Sequence, residues 1–85
     1  MERETAIKLL KVLIHEGYGL QMPITNTHVQ VTGLNKLRLD QALLDQVLAF
    51  AREKRWIDRA IAGHTVVTKI GEAAASQPAT DNRAN

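Results

Sequence analysis

The chain has 85 residues, is 45% hydrophobic and contains no cysteine. A chain this short buries only roughly 60% of its unfolded surface, which bounds it to one small domain. The lack of cysteine excludes a disulfide framework, a thiolate metal site and a thiol nucleophile, while a net charge of +2 permits a polyanionic partner without requiring one.

The distribution of charge says more than its total. Residues 35–55 carry Lys36, Arg38, Arg52, Lys54 and Arg55 against Asp40, Asp45 and Glu53, so the whole surplus lies there. No apolar run approaches the roughly 20 residues that span a bilayer. The start, Met-Glu-Arg-Glu-Thr, lacks the basic opening of a secretory signal. The expected address is the cytoplasm, with no membrane partner.

In chain order, residues 3–16 predict a helix. Ala6, Ile7, Leu9, Leu10, Leu13 and Ile14 form a wide apolar stripe, and Gly17 suits the left-handed position that closes a helix. Residues 17–26, punctuated by glycines and Pro23, read as loop. Thr27-His-Val-Gln-Val31 alternates polar with apolar and is rich in β-branched residues, a short strand pattern.

Residues 32–40, Thr-Gly-Leu-Asn-Lys-Leu-Arg-Leu-Asp, admit two registers. In one, 32–35 is a turn and Asn35 caps a helix of about 20 residues. In the other, Thr32 caps a very short helix over 33–38, the turn is 37–40, and Asp40 caps the next helix. A continuous helix from 36 to 55 would set Asp40 in its apolar half, where an unpaired carboxylate is costly. As a cap the same group stabilises by ~1 kcal/mol, which favours the second register.

Residues 41–55 are helical in either register. Leu43, Leu44, Val47, Leu48, Phe50 and Ala51 face inward, and Gln41, Ala42, Asp45, Gln46, Ala49, Arg52 and Glu53 face outward. Residues 56–67 predict a β-hairpin around Ala62-Gly63-His64, with Trp56 as a core plug. Thr68 caps a final helical turn that 73–75 extends. From Ser76 the chain is polar, with Pro78 and no aromatic residue, and a disordered tail over 76–85 is expected.

The fold class is thus mostly α with a small β-hairpin. The order helix, short strand, helix, helix, two-stranded wing resembles the winged helix-turn-helix superfamily over 1–75. Arg55-Trp56-Ile57 at the wing entry and Thr68-x-x-Gly71 at its exit carry most of the resemblance. The interval from Asp40 to Trp56 also resembles the family's spacing between recognition-helix cap and wing. In the first register His28 would occupy a position where the family's second helix usually buries Leu or Ile.

The resemblance implies binding of double-stranded DNA, with the third helix in the major groove and the wing on the backbone. Carried over by position, Gln41, Ala42, Asp45 and Gln46 would meet bases, since glutamine can pair bidentately with adenine and alanine can touch a thymine methyl. Asn35, Lys36, Arg38, Arg52, Arg59, His64 and Thr65 would touch phosphates. Asp45 would meet repulsion unless it accepts from a cytosine amine, and the wing tip has no Arg or Lys.

No enzyme, metal or cofactor constellation is present. His15, His28 and His64 have no metal-ligand spacing, Gly17-Tyr-Gly19 lacks the rest of a phosphate loop, and no nucleophile elbow occurs. The expected function is that of a small sequence-specific DNA-binding protein, a transcriptional regulator. The alternative is a winged-helix module that docks a protein partner in a larger assembly. A homodimer, through the first helix or the tail, would place two copies on paired half-sites.

Overall fold

The computed structural model describes residues 2–19 and 21–76. Helix α1 (Glu2–Leu13) begins with Glu2 and Glu4 in its first turn, where carboxylates favour the positive end of the helix dipole. A wider turn, Ile14–Tyr18, continues it, and Gly17 at φ 100° closes it. Ala6, Leu9, Leu10 and Leu13 are buried, so the wide stripe is a core face.

Strand β1 is only Ile24–Thr25. The expected strand over 27–31 is not present. Those residues lie in helix α2 (Asn26–Val31), prolonged by a wider turn, Thr32–Lys36. Thr25 is the cap: its hydroxyl accepts the His28 N–H at 3.1 Å. The alternation that suggested a strand is coincidental, because Val29 is buried while Val31 is 45% exposed. A strand would put both on one face.

The connection to the third helix follows the second register in its turn and differs in its helix. Thr32 is buried within the second helix and does not open it. The helix runs to Lys36, and the chain turns over 37–40 with Arg38 at φ 57°. Leu37 N–H and Leu39 N–H donate to the carbonyls of Thr32 and Gly33, satisfying the helix end. Gly33 is where α2 meets the next helix, since a Cβ there would lie 2.5 Å from Leu44 Cδ1.

Helix α3 (Gln41–Glu53) is capped by Asp40, whose carboxylate accepts the Leu43 N–H at 2.8 Å. Leu44, Val47 and Ala51 are buried. The helix ends with Arg55 in the left-handed region at φ 62°. Trp56 N–H donates to the Ala51 carbonyl and Arg55 N–H to that of Arg52, the paired bonds of a Schellman ending. This delivers buried Trp56 to the core, edge-on to Phe50 and beneath the Arg3 guanidinium.

Strands β2 (Ile57–Arg59) and β3 (His64–Val67) form the expected hairpin. The sheet is antiparallel in the order β1-β3-β2, with Ile24 opposite Thr65 and Ile57 opposite Val67. Helix α4 (Lys69–Ser76) returns to pack on α1, burying Ala74 and Ala75. Ser76, expected to open the tail, closes α4, and 77–85 lie outside the described residues. The architecture is mostly helical with one small three-stranded antiparallel sheet. No helix among the described residues is long and apolar enough to cross a membrane.

Candidate nucleic-acid interface

The outward face of α3 follows from its inward one. Burial of Leu44, Val47 and Ala51 turns Gln41, Ala42, Asp45, Gln46, Ala49 and Arg52 to solvent, and all six are exposed. Arg38 precedes this helix in the turn and Arg52 lies in its last turn.

The sequence-predicted residues fall into groups with different freedom. Asn35, Arg38, Gln46, Arg52 and Arg59 are exposed, and their side chains make no hydrogen bond or ion pair among the described residues. Lys36 is already engaged. Its ammonium pairs with Glu16, which also accepts a hydrogen bond from His28 Nε2 at 2.9 Å. Tyr18 lies against the His28 ring at 5.1 Å between centroids. The Lys36 hydrogen bond, then the His28 one, hold the Glu16 carboxyl below its ordinary value. Lys36 thus braces the end of α1 against α2, and a phosphate would have to compete with Glu16 for it.

Thr65 leaves the candidate set. It is 8% exposed, and its hydroxyl donates to Asn26 Oδ1 at 2.8 Å, fastening β3 to the start of α2. A strand residue opposite Ile24 points into the fold, and the Thr65 register is set by that pairing. His64 is half-buried, with Nδ1 3.0 Å from the Ala62 carbonyl. A carbonyl only accepts, so Nδ1 carries the hydrogen. The Nε2 of the neutral ring is then an acceptor, and only the imidazolium can donate to a phosphate.

Gln41 and Asp45 are joined by a 2.9 Å hydrogen bond, and a third residue joins them: Gln41 Nε2 also donates to Gln30 Oε1 on α2 at 2.9 Å. The pairing of Gln41 with Asp45 is legible in their four-residue spacing. Gln30 was missed, because only the crossing of α2 and α3 brings it there. No group of three or more His, Asp or Glu side chains that could hold a metal occurs among the described residues. The hairpin tip adds exposed Ile61 and no cation. No family model, curated protein or solved structure matches the chain.

Proposed function

We propose that the chain is a small winged-helix DNA-binding protein, acting as a regulator of transcription, with α3 entering the major groove and the β2–β3 hairpin meeting the backbone. The observation that carries this reading is the exposed outer face of α3, flanked by arginines that are unpaired among the described residues: Arg38 before its first turn and Arg52 in its last. The order helix, strand, helix, helix, hairpin supports it, as does the concentration of the positive surplus in 35–55.

The charge inventory sets the expected strength. With Arg38, Arg52 and Arg59 on phosphates, each contributing ~0.9 to the salt slope, affinity falls about 40-fold between about 50 and 200 mM salt. A second copy on a paired half-site doubles the contacts. Titration of a fluorescent duplex tests this. Arg38→Ala should weaken binding to all duplexes alike and lower the slope by about one, and absence of binding at about 50 mM salt would refute the reading.

A second reading, docking to a protein partner, is favoured by Ile61. This side chain is 66% exposed at the hairpin tip, an apolar contact where a phosphate-binding wing would place a cation. If Ala49→Arg abolished function while charge reversal at Arg38 and Arg52 left it intact, this reading would replace the first.

A further inference from the structure

We infer that Gln30, Gln41 and Asp45 form a unit of fixed hydrogen-bond polarity that selects cytosine in the major groove, an inference that rests on the DNA-binding reading. The polarity follows from chemistry. An ionised carboxylate only accepts, so the Gln41 atom 2.9 Å from Asp45 Oδ1 is the amide nitrogen. The second hydrogen of that nitrogen goes to Gln30, and the Gln30 atom facing it, also at 2.9 Å, must then be the carbonyl oxygen.

Both hydrogens of the Gln41 amide are therefore committed within the protein. Gln41 offers DNA only the acceptor Oε1, and Asp45 offers only carboxylate acceptors; neither Gln41 Oε1 nor Asp45 Oδ2 has another partner among the described residues. Gln41 so held cannot make the bidentate adenine contact expected from its residue type, because that contact needs a donated hydrogen. Guanine presents O6 and N7, thymine presents O4, and adenine sets N7 beside its amine. Each of these places an acceptor against the oxygen pair. Cytosine presents only the N4 amine: its one hydrogen free of the base pair can go to either oxygen, and it sets no acceptor beside that donor. Asp45, awkward beside phosphates, is thereby given a role at the base edge. Gln30 is a positioning residue acting through Gln41.

Selection of the full chain against a pool of randomised duplexes tests this, with Asp45→Asn and Gln30→Ala selected in parallel. The wild-type pool should enrich a site containing cytosine. Asp45→Asn, whose amide both donates and accepts, should move that position to adenine, with a change in relative affinity of about tenfold. Gln30→Ala frees one Gln41 hydrogen and should admit adenine beside cytosine. Sites lacking cytosine, or one common site for all three proteins, would overturn the inference while leaving DNA binding intact. Failure of every protein to retain any duplex at low salt would overturn both.

Discussion

Gly71 shows how one side chain, or its lack, joins helix and hairpin. A Cβ at this position would lie 2.1 Å from the Trp56 carbonyl oxygen, and that oxygen cannot retreat, because it already accepts the Thr68 N–H at 3.0 Å. Thr68 in turn donates its hydroxyl to the Arg55 carbonyl and accepts the Gly71 N–H at 3.0 Å. Thr68-x-x-Gly71 is thus a cap that packs α4 directly on the strand entry. Gly71→Ala should destabilise by about 2 kcal/mol, in the range of overpacking, and lower the thermal midpoint by on the order of 10 °C. A melt followed by circular dichroism checks this, and an unchanged midpoint would mean that the close approach does not exist. The same contact explains why this short motif was informative in the sequence: its spacing reflects a backbone constraint. Arg38 illustrates the reverse. It takes the left-handed conformation that ends the turn, yet as an arginine it gives none of the signal that glycine gives at Gly17.

Among the elements, α3 and the hairpin were legible because their patterns are local. Leu44, Val47 and Ala51 recur at helical spacing, and β-prone runs flank a glycine connection. The second helix was not, because its β-branched residues mimic strand alternation and tertiary packing overrides that weak preference. Its true cap, Thr25, is also the last residue of the two-residue strand that precedes it. What ties α2 to α1 is Glu16, 18% exposed and held by Lys36 and His28. Its folded value lies below its unfolded one, first through the Lys36 bond and then through His28. The stabilisation is therefore present above the unfolded carboxyl value of about 4.3 and is lost as pH falls through the lower, folded value. Denaturant unfolding at neutral pH should find Glu16→Gln weaker by about 1 kcal/mol, because Lys36 is well exposed and its pairing is screened. Below about pH 4 the difference should shrink toward zero. A difference independent of pH would show that packing, not charge, is the contribution of Glu16.

For the whole molecule, the candidate site is a surface assembled from distant parts of the chain: the turn at 37–40, the outer face of α3, and the hairpin. The outer face could be deduced from the inner one, so Gln41, Ala42, Asp45 and Gln46 were legible as exposed positions. The cross-helix partner Gln30 and the burial of Thr65 were not, since both depend on how α2 crosses α3 and how β1 pairs with β3. A largely balanced charge, with only Arg38, Arg52 and Arg59 unpaired among the described residues of the candidate surface, would make salt the decisive variable for the proposed DNA binding. Whether the α3 face and the hairpin meet duplex DNA is decided by an amide-shift map of the full chain titrated with random-sequence duplex at about 50 mM salt. Shifts concentrated in 35–52 and 58–64, with α1 and α4 unmoved, are expected. No shifts at all, or shifts confined to α1 and α4, would contradict it.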